Sequence, residues 1–158
     1  MSKKNILALV VVIIFLLAGF FLVKYLPKPS VAQIPSNIKY VEIGGQKLKV
    51  DLALTMAEQA QGLSGRENLL PDTGMLFVFD VPGKVPFWMK DMNFPIDMIW
   101  ITEDMKVDYI KKDALPALYP EQYGPGVNDG NAKYVLEAVD GFSDKNNLQV
   151  GEDVNFIY

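Results

Sequence analysis

The sequence predicts a mainly β fold of the α+β type, a compact antiparallel β barrel or sandwich with one or two short helices, preceded by one transmembrane helix. Three observations lead to this prediction. A long apolar run lies near the N-terminus, short β-type runs separated by turn residues fill the rest of the chain, and one helix-capping pattern interrupts them. The chain has 158 residues, so one compact domain fits after the apolar run and a linker are set aside.

The N-terminal apolar run covers residues 6–23 and contains no charged residue. A helix of this length measures about 27 Å, close to the roughly 30 Å of membrane hydrocarbon. We therefore expect residues 1–26 to form a transmembrane anchor. The alternative is a cleaved signal peptide, because Ser30, Val31 and Ala32 form a small-x-small site. Signal sequences usually have a shorter apolar run that ends close to the cleavage site, so we favour the retained anchor.

A Pro-rich linker is predicted for residues 27–38, which contain three prolines. Proline favours extended backbone, and the ten residues 27–36 can reach about 30 Å. The short basic leader with Lys3 and Lys4 favours a cytoplasmic N-terminus. We therefore expect a single-pass protein of the cell membrane, with its globular domain outside the cytoplasm.

The globular domain, residues 39–158, begins with a predicted β hairpin. Two β-type runs, residues 39–43 and 46–54, are joined by Gly44 and Gly45. A Gly-Gly pair suits a two-residue hairpin turn, because both turn positions require positive φ.

A short helix is predicted directly after the hairpin. Thr55 precedes Met56, and Glu58 follows three positions after the threonine, which is the spacing of a capping box. Gly62 then marks the end of the helix.

Short strands are predicted through the rest of the domain, because its apolar or alternating runs are separated by Gly, Pro, Asp and Asn. These runs are residues 75–79, 85–89, 96–101, 106–111, 134–139 and 155–158. Residues 115–131 contain three prolines and three glycines, which predicts a long irregular loop.

Composition excludes several classes of function. Residues 1–32 hold four of the 15 Lys and Arg and none of the 19 Asp and Glu, so residues 33–158 carry a net charge of −8. An acidic surface repels phosphate backbones, and we expect no nucleic-acid partner. The chain has no Cys and no His, which excludes disulfides, thiolate or imidazole zinc sites and Ser-His-Asp catalysis. We expect a monomer with no metal and no cofactor.

Several ordered blocks of residues match the pattern of one known family. The blocks are Gly62, Leu63 and Arg66, then residues 74–79, 87–90, 95–97 and 135–137, then Gly141 and residues 151–154. Through these blocks the chain resembles the DUF192 family, also called UPF0127, over nearly all of the domain. Ser64 stands where that family commonly has Met, and Asp91 and Met92 stand where it commonly has Asn and Thr. The resemblance implies a compact β-rich fold and brings no established reaction.

Residues 87–90 form the first candidate binding element. Along a strand, Phe87, Trp88, Met89 and Lys90 would alternate between two faces, so one face could offer an aromatic floor beside a positive charge. The alternative is structural, with Phe87 and Met89 in the core and Trp88 covering a loop.

Arg66 and Lys90 are the candidate cationic ligand contacts. Either could hold a carboxylate, a phosphate or a sugar oxygen, and Arg66 is suited to bidentate contact. The alternative is a salt bridge to Asp97 or Glu137.

Asp97 and Glu137 are carboxyl groups inside otherwise apolar runs, residues 96–101 and 134–139. A carboxylate that points into an apolar interior needs a partner or a raised pKa. Two converging carboxyls could perform general acid and base catalysis or coordinate a hard cation. A structural ion pair with Arg66 or Lys90 is the favoured alternative.

Three functions therefore remain open. The leading hypothesis is a membrane-anchored binding domain, whose groove near Arg66, Trp88, Lys90 and Asp97 receives a small polar ligand or a segment of an envelope protein. The second is a metal-independent hydrolase or lyase that uses Asp97 and Glu137. The third is a purely structural envelope protein.

Overall fold

A curled sheet of seven strands organises the part of the chain that the structure describes. The computed structural model describes residues 35–125 and 131–158, together with Asn5. Its strands are β1 (Tyr40–Ile43), β2 (Gln46–Ala53), β3 (Thr73–Gly83), β4 (Ile96–Thr102), β5 (Val107–Ala114), β6 (Ala132–Val139) and β7 (Asn155–Ile157). Its helices are α1 (Met56–Gln61), α2 (Phe142–Lys145) and one 3-10 turn, Pro116–Leu118.

The strands follow the order β5-β4-β6-β3-β2-β1-β7 across the sheet. Every neighbouring pair is antiparallel except β2 and β3, which run parallel from Lys49 opposite Thr73 to Ala53 opposite Phe77. The prediction of a mainly β fold with short helices is confirmed. The prediction of an antiparallel barrel or sandwich needs one correction: β2 and β3 run parallel, because residues 54–72, including α1, form a crossover that brings β3 back in the direction of β2.

The sheet curls into a half-barrel. The segment before β7 bonds to the start of β5, at the other end of the strand order. Val107 N donates to Glu152 O at 2.9 Å, and Val154 N donates to Met105 O at 2.9 Å. These bonds hold the two ends of the sheet close to each other.

Each face of the sheet carries its own hydrophobic core, because successive side chains of a strand point to opposite faces. The major core contains Ile99 of β4 and Leu136 of β6, together with Phe142 of α2. The minor core lies on the opposite face and contains Phe77 of β3, Val135 of β6 and other residues of the crossover side. Central strands buried on both faces explain the continuous apolar runs in their sequences.

Two local predictions are confirmed in detail. Gly44 and Gly45 have φ of 56° and 70°, as a two-residue hairpin turn requires. Thr55 Oγ1 accepts a hydrogen bond from Glu58 N at 3.2 Å, and Glu58 Oε2 accepts one from Thr55 N at 2.8 Å. The capping box therefore starts α1, which ends at Gly62 with φ of 50°.

The strand predicted for residues 85–89 is wrong. This segment forms a single β bridge, Phe87 opposite Tyr123, outside the sheet. Pro86 supplies no N–H for a longer ladder, and Val85 O instead accepts a hydrogen bond from Trp100 Nε1 at 2.8 Å.

The predicted anchor, residues 1–26, lies outside the described part of the chain apart from Asn5, and so does most of the predicted linker. Among the described residues, no helix combines the length and the apolar character needed to cross a membrane.

Candidate functional site

Glu137 is a buried carboxyl in the centre of the sheet. It lies in β6, between Met75 of β3 and Met98 of β4, and its exposed fraction is 4%. Its Oε2 atom is buried and has no hydrogen-bond partner among the described residues. Burial raises the pKa of Glu137 to about 8, and the positive charge of Arg66 opposes this shift in part. The carboxyl is therefore mostly protonated near pH 7.

Glu137 lines a cavity of about 260 Å³ on the minor-core face of the sheet. The sheet forms one wall and the crossover with α1 forms another. The remaining walls come from the segments between β3 and β4. The lining residues are Gln59, Ala60, Gln61, Leu63, Ser64, Phe77, Phe79, Val85, Pro86, Phe87, Trp88, Met92 and Glu137. We call this space the Glu137 cavity.

Aromatic rings packed edge to face make up much of the cavity wall. The ring of Phe87 lies 4.8 Å from that of Phe77 and 6.4 Å from that of Phe79, measured between centroids. Trp88 also lines the cavity, is 49% exposed, and contacts Tyr119 with centroids 6.2 Å apart. The cavity therefore has an apolar interior and an aromatic rim that reaches solvent.

The neutral polar side chains of the wall direct their donors to the protein backbone. Gln59 Nε2 donates to Val78 O at 2.8 Å, and Gln61 Nε2 donates to Ser64 O at 2.9 Å. Ser64 Oγ donates to Lys90 O at 2.8 Å. Apart from one N–H of Gln61, these residues therefore retain acceptor oxygens for a ligand.

Two loops of the wall, residues 64–66 and residues 90–93, are joined by hydrogen bonds. Besides the Ser64 bond, Gly65 N donates to Asp91 O at 2.8 Å, and Asn93 Nδ2 donates to Arg66 O at 2.8 Å. Asp91, whose carbonyl accepts one of these bonds, has φ of 53°, in the left-handed region. The wall is thus held in place by hydrogen bonds as well as by packing.

The structure brings together two of the five predicted site residues, Trp88 and Glu137, around this cavity. Arg66 lies nearby but forms a half-exposed ion pair with Asp51, with Nη2 and Oδ2 2.9 Å apart. Lys90 is exposed and forms no salt bridge within the described residues. Neither cation lines the cavity, and ligand binding by either stays a prediction.

Asp97 is separated from Glu137 by the sheet. It lies opposite Ala138, a major-core residue, whereas Glu137 faces the minor core. Its carboxylate accepts hydrogen bonds from Asp113 N at 3.0 Å and Ser143 N at 2.7 Å. The expected ion pair of Asp97 with Arg66 or Lys90 is therefore wrong. Asp97 and Glu137 do not converge, so the acid and base pair of the hydrolase hypothesis is not formed.

The cavity contains residues that the sequence analysis did not assign to a site. Phe77 and Phe79 lie two positions apart in β3, so strand alternation already places both on one face. Gln59 and Met92 carry no comparable signal, because only the crossover and the loop contacts bring them to the cavity. In the described segments, no cluster of three or more acidic side chains is placed to hold a metal ion.

Two solved structures are similar to this chain. A protein of unknown function from Novosphingobium aromaticivorans DSM 12444 is 27% identical, with a TM-score of 0.69, over 82% of this chain and 98% of its own. A protein from Sinorhizobium meliloti 1021, described as a candidate transcription regulator, is 28% identical, with a TM-score of 0.66, over 74% of this chain and 90% of its own. A search of curated proteins found no match.

The family model of DUF192, described as an uncharacterized ACR, matches residues 39–156. This range includes every block on which the sequence resemblance rests, as well as the whole wall of the Glu137 cavity. The chain therefore belongs to the DUF192 family.

Proposed function

We propose that this chain is a membrane-anchored binding protein whose extracytoplasmic domain binds a small ligand in the Glu137 cavity. The observation that carries the proposal is the unpartnered carboxyl of Glu137 in the wall of an aromatic cavity. Largely apolar cavities with a few polar groups are typical of small-molecule sites.

The energetic cost of Glu137 supports a binding role. A buried polar atom without a hydrogen bond destabilises a protein by about 1 to 3 kcal/mol. The neighbours of Glu137 in β3 and β4 are methionines, so an apolar residue would fit its surroundings without that cost. A carboxyl with a strongly raised pKa in a cavity is a feature typical of functional sites.

The volume of the cavity favours a ligand with a compact apolar part. An apolar cavity of about 150 Å³ holds benzene. The Glu137 cavity, at about 260 Å³, can therefore hold an aromatic ring or short aliphatic chain together with one polar group.

The sequence supports the membrane anchor and the position outside the cytoplasm. The uncharged run of residues 6–23 has the length of a membrane span, and the linker after it can hold the domain away from the bilayer. The role of transcription regulator, described for the Sinorhizobium meliloti protein, is disfavoured for this chain, because a net charge of −8 on residues 33–158 disfavours contact with nucleic acid.

A thermal-shift screen on the purified full-length chain tests the proposal. The probes are amino acids, sugars, short amines, short carboxylic acids and phenols. A ligand present at 100 times its dissociation constant stabilises the folded state by about 2.7 kcal/mol. We expect at least one class to raise the melting temperature.

Two variants of α1 locate the binding. Ala60 lines the cavity and Ala57 does not, although both are exposed. Ala60→Phe should abolish the shift by filling the cavity, whereas Ala57→Phe should preserve it. If no probe gives a shift that depends on Ala60, the proposed function is wrong.

A further inference from the structure

We propose that the ligand of the Glu137 cavity carries an alkylammonium group on an apolar body, and that this group forms an ion pair with the Glu137 carboxylate. The inference rests on the proposed function and names the chemical class of the ligand. Its basis is the match between an ammonium group and the polar atoms that the cavity wall leaves available.

The cavity wall offers acceptors to a ligand. Gln59 Nε2 donates to two backbone carbonyls, and Gln61 Nε2 and the hydroxyl of Ser64 each donate to one. Glu137 Oε2 has no partner among the described residues. An ammonium group has three donors and no acceptor, so it complements this set once Glu137 has lost its proton, whereas a carboxylate or phosphate would then find few donors.

The charges around the cavity also favour a cation. Glu137 is the one ionisable side chain among the described residues that line the cavity. The nearby cation Arg66 is engaged with Asp51 at 2.9 Å. At larger distance, the net charge of −8 on residues 33–158 attracts cations.

The aromatic walls suit both parts of such a ligand. Phe77, Phe79, Phe87 and Trp88 provide apolar area for the body of the molecule. The faces of aromatic rings also attract ammonium groups. The ligand can therefore bury its carbon atoms without leaving its charge uncompensated.

Binding of an ammonium ion should release one proton near pH 7. Before binding the carboxyl of Glu137 is mostly protonated, because burial raises its pKa to about 8. When R–NH₃⁺ enters, the O–H bond of the carboxyl breaks, the proton passes to the buffer, and R–NH₃⁺ pairs with –COO⁻. The residues opposite Glu137 in β3 and β4 are uncharged methionines, and the charged group that acts on it from the crossover is Arg66.

Three probes of similar shape test the inference on the full-length chain by isothermal titration calorimetry. They are 2-phenylethylamine, the neutral 2-phenylethanol and the anionic phenylacetate. We expect the amine to bind at least tenfold more tightly than the alcohol, and the anion more weakly than either. In two buffers with different ionisation enthalpies, the amine should release close to one proton near pH 7 and much less near pH 9.

Glu137→Gln is the decisive variant, with Glu67→Gln as its exposed control. The first should reduce the preference for the amine to less than about twofold and abolish proton release, while the second should change neither. The variant also separates the effect of Glu137 from any partition of the amine into detergent or lipid.

The outcomes distinguish this inference from the proposed function. If the alcohol binds as tightly as the amine and Ala60→Phe abolishes both, the cavity is a binding site and the ammonium inference is wrong. If no probe binds in a manner that depends on Ala60, both are wrong.

An Nα-acetylated lysine amide tests the other source of an alkylammonium group, a lysine side chain of a partner protein. Tighter binding of that probe than of 2-phenylethylamine would show that the ligand is a lysine side chain of a partner protein.

Discussion

Gly74 of β3 lies directly against the backbone of Glu137 in β6. A methyl group added at Gly74 would lie 2.7 Å from the carbonyl oxygen of Glu137 and 3.2 Å from Leu136 Cδ1. The contact is with backbone, which cannot move as a flexible side chain can. Gly74 therefore sets the position of the strand that carries the buried carboxyl.

Gly74→Ala should lower the free energy of unfolding by about 1 to 3 kcal/mol, as overpacking of a well-packed interior does. Gly83→Ala is the matched control, because no atom beyond its two chain neighbours lies within 4 Å of an added methyl group there. Its effect should stay within about 0.5 kcal/mol. Urea denaturation measures the free energy of unfolding of both variants. Equal stability of the two would show that β3 and β6 can move apart to accept the methyl group without a loss of stability.

Glu137→Gln should remove a dependence of stability on pH. In the unfolded chain the carboxyl loses its proton near pH 4.5, whereas in the folded chain it keeps the proton up to about pH 8. The folded state binds more protons in this window, so stability falls as pH rises through it, by at most about 1.4 kcal/mol for each pH unit. This loss of stability is absent below about pH 4.5 and stays constant above about pH 8.

The stability of Glu137→Gln relative to the native chain should therefore increase from about pH 4.5 to about pH 8. Denaturation curves at several pH values measure this difference, and Glu67→Gln serves as the exposed control. A difference that does not vary with pH would show that Glu137 is ionised in the folded chain.

Asp97→Asn should destabilise the fold although it retains the size of the side chain. The carboxylate accepts from two backbone N–H groups, those of Asp113 and Ser143. An amide has one oxygen, so its NH₂ group would face one of these donors, at a cost of about 1 to 3 kcal/mol. Asp51→Asn breaks an exposed ion pair and should cost less than about 1 kcal/mol. If the two substitutions have equal effects, the bonds of Asp97 contribute little to stability.

Protease added to intact cells should remove the domain, because we expect the N-terminus to lie in the cytoplasm and residues 39–158 to lie outside. Immunoblotting with a tag at each end measures the result. Protection of the C-terminal tag would reverse the orientation. Release of a soluble form that begins at Gln33 would establish the signal peptide instead.

The parts of the fold that sequence could predict depend on neighbours along the chain. Gly44 and Gly45 require a turn between two β-type runs, and Thr55 with Glu58 starts a helix through bonds that span three residues. Glu137 could be selected as a site residue for a similar reason, because a carboxyl inside an apolar strand is costly wherever that strand lies in the sheet.

Features that depend on distant segments could not be predicted. The partners of Asp97 are backbone N–H groups, which every residue except proline carries, so no side chain reveals them. The parallel pairing of β2 with β3 follows from the path of residues 54–72. The sequence of either strand does not reveal it, because side chains alternate between the two faces in the same way in parallel and antiparallel pairs. The Glu137 cavity exists only because that path covers one face of the sheet.

The pairing of β3 with β6 has a consequence for the order in which the molecule folds. The β1–β2 and β4–β5 hairpins join segments that are close in sequence and can form early, whereas β3 must meet β6 across 48 intervening residues. The Glu137 cavity needs β3, β6 and the crossover together, so it exists only after these slow, long-range steps. A ligand of this cavity would consequently leave the rate of refolding almost unchanged and would slow unfolding, which makes it a kinetic stabiliser of the native chain.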